Sequence, residues 1–328
     1  MSAEHPLDRL RPGMRAVVRY RSRTGTADAL GRIEALDAEA VELETRRGRQ
    51  VVPRSDVLLA KEVPPPPSRR GAPHRAISEE DLERAMVDGW PPLEREALGG
   101  WLLRASHGFT RRANSVLPLG DPGTPLGAAV ERAEQWYAER ELPALFALFG
   151  QPELEEELRE RGYRERVSTL AMTASVGTVV GAAHDVAERH RRSAGSAGLT
   201  IAVTREPSED WLATAAGTRP TDPEVLRHLV TGSPEQVFGE VRDGAETVLA
   251  IGRAPFAHVW AGLTNVHVEP SARRRGLATL VTAALAQEAR ARGIRSIWLQ
   301  VEEGNAPARA AYERLGFGTH HRYRYLTR

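Results

Sequence analysis

The stretch that most limits the fold is LTNVHVEPSARRRGLATLVTAAL, Leu263 to Leu285. An apolar run reaches Pro270, then Arg273, Arg274 and Arg275 precede Gly276. A helical run follows, with Leu277, Leu280, Val281, Ala284 and Leu285 on one stripe and Gly293 as its stop. Strand, glycine and helix in direct succession put the positive end of a helix dipole and its free N–H groups beside three guanidinium groups. That arrangement suits an anion, and phosphate first. Gly276 lets the backbone approach the phosphate closely, where a Cβ would obstruct it. The amides from Arg274 to Thr279 can donate to phosphate oxygens, and Arg273 to Arg275 add charge-assisted bonds.

The chain has 328 residues, room for two or three domains. Residues 1–62 read as short alternating strands with Gly, Asp and Arg-Gly turns, in which Val17, Ile33, Val41, Leu43, Val51 and Val52 would point inward. That pattern suggests a small SH3-like β-barrel. A run of arginines crosses it (Arg9, Arg11, Arg15, Arg19, Arg21, Arg23), which reads either as an ordinary charged surface or as a patch for nucleic acid or an acidic protein. Residues 63–74, with VPPPPSRRGAP, read as a stiff polyproline connector.

Residues 75–175 open with a helix capped by Ser78, ISEEDLERAMVDGW. A hairpin with Gly108 near its turn, a helix over TPLGAAVERAEQWYAERE, a buried strand in LPALFALFG, a short helix ending at Gly162 and the strand VSTLAMTA follow. Residues 176–198 read as a connector. Residues 199–328 give strand and helix, a pair of strands ending at Pro270, the helix after Gly276, the strand IRSIWLQVEEGN, a short helix over APARAAYERLGF and a last strand. The two long segments share an order of elements about 130 residues apart, which suggests a duplicated domain.

The motif RRRGLA, Arg273 to Ala278, together with the strand before it and the later NAPARAAYERLGF, resembles the GCN5-related N-acetyltransferase (GNAT) family. The resemblance is close over residues 199–328 and loose over 75–175. It implies an α/β (α+β) fold, a mixed central sheet flanked by helices, in two tandem copies of which the first is degenerate. In the first copy the phosphate loop is replaced by LGDPGTPLGAAVERAEQW, where Asp121 would repel phosphate. An SH3-like module ahead of a tandem GNAT is similar to a group of actinobacterial histone-acetyltransferase-like proteins.

The resemblance implies an enzyme, an acetyl-CoA-dependent N-acetyltransferase, with acetyl-CoA as co-substrate and no metal. Its pyrophosphate would lie on Arg273, Arg274, Arg275, Gly276, Leu277, Ala278 and Thr279. Val266, His267 and Val268 would offer backbone groups to the pantetheine arm and the acetyl carbonyl, and Asn305 would cap the next helix beside that arm. Tyr312 matches the family's acid that protonates the departing thiolate. The base is open among His267, Glu302, Glu269, Glu303 and an ordered water; His267 has a pKa suited to the task near neutrality. His320 and His321 show no metal-ligand spacing.

The acceptor implied is a primary amine, either a lysine of a basic nucleoid or histone-like protein or a small molecule such as an amino sugar, a thiol precursor or an antibiotic. A CoA-sensing or nucleic-acid-binding regulator without turnover is the alternative from another class. Composition agrees with a cytosolic chain. There is no cysteine, so neither disulfides nor a thiol nucleophile. Net charge is only +1, no eighteen-residue apolar run suggests a membrane span, and the N-terminus lacks a signal-peptide core.

Overall fold

The computed structural model describes residues 5–63 and 73–328, apart from 9, 13, 23, 24, 46, 47, 193–197 and 220. Arg9 and Arg23 of the arginine run, and residues 64–72 of the proline-rich connector, lie outside the described residues. The chain forms two compact units, residues 1–68 and 69–328.

The first unit is a five-stranded antiparallel meander. Strands β1 (Arg15–Ser22), β2 (Gly25–Leu36), β3 (Ala40–Thr45), β4 (Gly48–Pro53) and β5 (Val57–Glu62) lie in the order β4-β3-β2-β1-β5. β5 returns antiparallel to β1, which curls the sheet into a half-barrel. Asp37 sets the β2–β3 turn, its Oδ1 accepting from the N–H groups of Glu39 and Ala40 at 2.8 Å each. Ala16, Val18, Ile33, Val41, Leu43 and Val52 fill the interior. Val51 was expected inside beside Val52, yet it is 49% exposed. Neighbours on a strand point to opposite faces, so only one of the two can be buried. The same alternation buries Val18 and leaves Val17 half-buried. Arg19 is held by Asp28 through two bonds of 2.8 Å, so this arginine is already paired on the surface.

The second unit opens with α1 (Pro73–Ala76) and α2 (Glu79–Gly89), the latter capped by Ser78 Oγ accepting from the Asp81 N–H at 3.1 Å. Its first half continues with β6 (Glu94–Leu98), β7 (Trp101–Ala105), β8 (Leu117–Pro118), α3 (Leu126–Ala138), β9 (Phe146–Leu148), α4 (Pro152–Glu160) and β10 (Arg164–Ser175). Residues read as a connector then carry a helix, α5 (Val176–Arg192). Its Val176, Val179 and Ala183 are buried at helical spacing in the core shared with the helix that follows Gly276. The second half has β11 (Thr200–Thr204), α6 (Glu209–Thr218), α7 (Pro223–Thr231), β12 (Glu235–Arg242), β13 (Val248–Ala257), β14 (Trp260–Val268), α8 (Leu277–Ala291), β15 (Ser296–Glu302), α9 (Ala306–Arg314) and β16 (Gly318–Thr327).

Eight strands form one mixed sheet in the order β11-β12-β13-β14-β15-β10-β16-β9. β14 and β15 are parallel, and Val116, just before β8, bridges Phe146 of β9 in parallel as well. The two halves thus repeat one arrangement, but each gives its last strand to the other. β10, from the first half, lies antiparallel between β15 and β16; β16, from the second, pairs with β9. α8 covers β12 and β13, burying Leu277, Leu280, Val281 and Leu285. The approach is close: a Cβ on Gly239 would stand 2.8 Å from Val281 Cγ2, so only glycine fits there.

Candidate active site

A cleft of about 460 Å³ opens where β14 and β15 part. Their parallel pairing runs from Trp260↔Ser296 to Leu263↔Leu299 and stops. Beyond it, Thr264, Asn265 and Val266 form one wall and Gln300, Val301 and Glu302 the other. A bulge drives the parting. On β13, Ile251 pairs with His267 and Arg253 with Thr264, so Asn265 and Val266 together oppose Gly252. Asn265 adopts φ 52°, in the left-handed region that asparagine enters more readily than most other non-glycine residues. The peptide groups of β14 from Thr264 onward have no β15 partner.

Two polar atoms on these walls are buried without a hydrogen bond, Asn265 Oδ1 and Gln300 Oε1. Buried orphan acceptors are uncommon in native proteins and suggest a ligand that supplies donors. The amide-rich arm of a pantetheine is such a ligand.

Just past β14, Gly276 stands at φ 78° as the N-cap of α8. The first backbone bond of the helix runs from the Leu280 N–H to the Gly276 carbonyl at 3.1 Å, which leaves the amides of Leu277, Ala278 and Thr279 ahead of it. Arg274 is also left-handed, at φ 61°. Arg273, Arg274 and Arg275 are exposed and pair with no carboxylate among the described residues; Arg273 Nε donates to the Val268 carbonyl at 3.2 Å. Free amides, dipole and unneutralised guanidinium groups converge, so the loop retains the full positive field a pyrophosphate needs.

α9 supplies the floor of the cleft. Asn305 caps it, its Oδ1 accepting from the Ala308 N–H at 3.2 Å, and both residues line the cleft. Tyr312 lines it one turn further on. Its ring meets Phe317 edge-to-face at 5.8 Å, and burial pushes the hydroxyl up to about 12. That hydroxyl has no hydrogen-bond partner among the described residues, so its proton is available to a ligand.

The base candidates separate. Glu302 lines the cleft, and Arg111 binds its Oε1. Glu303 points to Arg322 at 3.1 Å. His267 does not line the cleft; its Nε2 lies 3.7 Å from Glu269 Oε1, and burial lowers its pKa. His320 and His321 are buried away from it, with His321 Nε2 2.9 Å from Glu83 Oε1 and His320 Nε2 3.0 Å from the Ile77 carbonyl. Among the described residues no group of three or more His, Asp or Glu side chains could hold a metal.

The opposite wall was not read from the sequence. It is made by the first half and by the exchanged strands: Trp90, Arg111, Arg112, Thr169, Tyr323 and Tyr325. Asn114 builds the loop that carries the two arginines. It is buried, its Oδ1 accepting from the N–H groups of Ser106 (2.7 Å) and Gly108 (2.9 Å). Its Nδ2 donates to the carbonyls of Phe109 (2.7 Å) and Thr110 (2.8 Å). All four of its valences are used. Thr110 is held at φ 60°, a strained setting for a β-branched residue, and its Oγ1 accepts from Trp90 Nε1 at 3.1 Å. Behind β14, Arg253 is wholly buried without a carboxylate. It donates to the carbonyls of Val230 (2.5 Å) and Gly89 (2.8 Å), to Ser233 Oγ (2.7 Å) and to Thr264 Oγ1 (3.3 Å). This ties the bulge to both halves.

In the first half the place of the phosphate loop is closed. The Gly100 N–H donates to the Asp121 carbonyl at 2.5 Å. A Cβ on Gly127 would lie 3.0 Å from Arg161 Nη2 and 3.3 Å from Glu157 Oε1, so a paired arginine and glutamate fill the start of α3.

The family described as "Probable histone acetyltransferase Rv0428c C-terminal" matches residues 78–326. The chain is 29% identical over 324 residues to the "Probable histone acetyltransferase Rv0428c" of Mycobacterium tuberculosis, covering 96% of this chain and 94% of that one. It is 28% identical over 251 residues to the "Uncharacterized N-acetyltransferase YobR" of Bacillus subtilis, 74% of this chain and 96% of the relative. Its fold is similar to that of a GCN5-related N-acetyltransferase from Kribbella flavida, with a TM-score of 0.55, 18% identity, and 76% and 94% of the two chains covered.

Proposed function

The chain belongs to the Rv0428c C-terminal family of GCN5-related N-acetyltransferases, and we propose that it moves the acetyl group of acetyl-CoA to a primary amine by direct attack, in the one cleft between β14 and β15. The observation that carries this reading is the conjunction, within one βα unit, of the parted strands and the open helix start at Gly276. The exposed arginines and first-turn amides at residues 273–279 hold the pyrophosphate. The peptide groups of Thr264 to Val266, which have no β15 partner, take the pantetheine arm and polarise the acetyl carbonyl, where negative charge develops as the C–N bond forms.

Glu302 Oε2, the oxygen that Arg111 leaves open, accepts the amine proton. The C–S bond then breaks, and the Tyr312 hydroxyl gives its proton to the leaving thiolate. With its affinity for that proton raised, Tyr312 recovers one from solvent at any working pH. His267 keeps its backbone role beside the arm; its ring faces Glu269 instead of the cleft.

Two acceptor classes follow. Similarity to the Mycobacterium tuberculosis relative, a probable histone acetyltransferase, favours a lysine of a basic protein. The cleft favours a small amine, because its walls carry Arg111, Arg112 and Arg219 against the single carboxylate Glu302.

Calorimetric titration of acetyl-CoA into wild type and Gly276→Glu tests the cofactor site, and CoA release with a panel of amines tests turnover. Binding by wild type and none by the variant is expected. A wild type that does not bind acetyl-CoA overturns the reading.

A further inference from the structure

We propose that the acceptor carries an anionic group besides its amine, and that Arg112 recognises it. The inference rests on the acetyltransferase reading above and names the class of its acceptor. Arg111 and Arg112 are adjacent but differently employed. Arg111 is spent on Glu302 and lies over the Tyr325 ring at 5.7 Å. Arg112 lies over the Trp90 ring at 5.1 Å and, among the described residues, makes neither a hydrogen bond nor an ion pair. The guanidinium is half-buried at the cleft and none of its five donors is taken by the described residues, so they are free for a ligand.

Arg112 lines both the main cleft and a small recess behind it of about 10 Å³. Cations outnumber acids around the recess: Arg104 and Arg112 border it with one carboxylate, Glu83, whose Oε1 lies 2.9 Å from His321 Nε2. Tyr323 and Tyr325 border both spaces too, and Arg112 eases the ionisation of each, so their hydroxyls lie within its field. Burial keeps both hydroxyls protonated; Tyr323 donates to Tyr325, which leaves the Tyr325 proton for a ligand. The position of Arg112 is not incidental, since Asn114 and the left-handed Thr110 fix the loop that presents it.

Glu302, held by Arg111 through Oε1, is the carboxylate among the residues that line the main cleft and is suited to an ammonium. The complementary acceptor is a small molecule with an amine at one end and a carboxylate or phosphate at the other. A lysine in a basic tail would bring further positive charge against Arg112 and Arg219.

The test compares matched acceptors on full-length protein: an amino acid, its carboxamide, phosphoethanolamine, spermidine and a lysine-rich peptide. Wild type should turn over an anionic amine with kcat/KM at least tenfold above its neutral counterpart; the two anionic probes distinguish carboxylate from phosphate. Arg112→Met should raise KM for the anionic amine about 10- to 100-fold, the loss of one or two charge-assisted bonds, and by less for the carboxamide, so that the preference for the acid falls. Arg112→Gln serves if the methionine variant misfolds, and Arg112→Lys should restore part of the preference. Equal use of acid and carboxamide, preference for spermidine or the basic peptide, or indifference to Arg112→Met overturns the proposal.

A second readout needs no turnover. With CoA filling the site at Gly276, inorganic phosphate should raise the melting temperature of wild type but not of Arg112→Met; equal shifts overturn the proposal. Failure to bind acetyl-CoA would sink the enzyme reading alone, because the phosphate difference between wild type and variant is still read on the free protein.

Discussion

Asn114→Ala should loosen the acceptor wall while sparing the cofactor site. Asn114 makes four hydrogen bonds of 2.7–2.9 Å within residues 106–114. At a net ~1 kcal/mol each their loss costs about 4 kcal/mol. Release of Thr110 from φ 60° returns about 1–2 kcal/mol. The balance, about 2–3 kcal/mol, is small against a typical domain stability of about 5–15 kcal/mol, so the protein stays folded. It is enough to open the loop, and acceptor affinity falls with the fraction of molecules in which Arg111 and Arg112 are in place. KM for the acceptor should rise by about one to two orders of magnitude, with acetyl-CoA affinity within about twofold of wild type. Hydrogen exchange should show faster exchange at residues 106–116 and unchanged protection in α8. An unaltered acceptor KM together with unaltered exchange in the loop would refute the idea that Asn114 positions this wall.

Tyr312→Phe should lower kcat by about 10²- to 10³-fold with little change in acetyl-CoA affinity. Because burial pushes the hydroxyl up to about 12, the acid stays protonated across the working range, and wild-type kcat should show no alkaline loss through pH 10. A limb below pH 10 that disappears in Tyr312→Phe would show that its proton is held less tightly than the buried ring implies. Residues 199–328 expressed alone should fail to give a stable monomer, since β15 and β16 both lose β10 as their neighbour. Size-exclusion chromatography showing a monomer that binds acetyl-CoA would contradict the strand exchange.

The parts of the site legible in the sequence are those built from neighbours in the chain. Gly276, the arginines before it and the stripe on α8 form one continuous local pattern, and Asn305 and Tyr312 lie on a single short helix. The burial of Leu277, Leu280, Val281 and Leu285 follows from a 3.6-residue period. What was not legible depends on pairing between distant strands. Nothing local in VSTLAMTA says that Thr169 will stand opposite Glu302. Nor does FTRRANS announce that Arg111 will meet a glutamate 191 positions away. Asn114, between Ala113 and Ser115, carries no local signal; only its four bonds give it a task. The helix over Val176–Arg192 did have a signal, the buried spacing of Val176, Val179 and Ala183, masked by Gly177 and Gly181.

The strand exchange explains why a half without a phosphate loop persists. If each half folded on its own sheet, the first could drift in sequence, or be lost, without touching chemistry in the second. Here β10 lies between β15 and β16, so Thr169 stands in register beside Glu302 in the lining of the cleft, and the first half is fixed in register with the strands that form it. Arg253 adds a second tie, from Thr264 at the bulge to the Gly89 carbonyl at the end of α2, next to Trp90. Trp90 in turn holds Thr110 and stacks on Arg112. Each link is a packed or hydrogen-bonded contact, and together they run from the bulge where β14 leaves β15 to the Arg112 side chain at the cleft. The Arg161–Glu157 pair packed on Gly127 at the start of α3 takes no part in these links. What selection must keep in that half is the geometry of the loop from Ser106 to Val116, and the buried asparagine that fixes it.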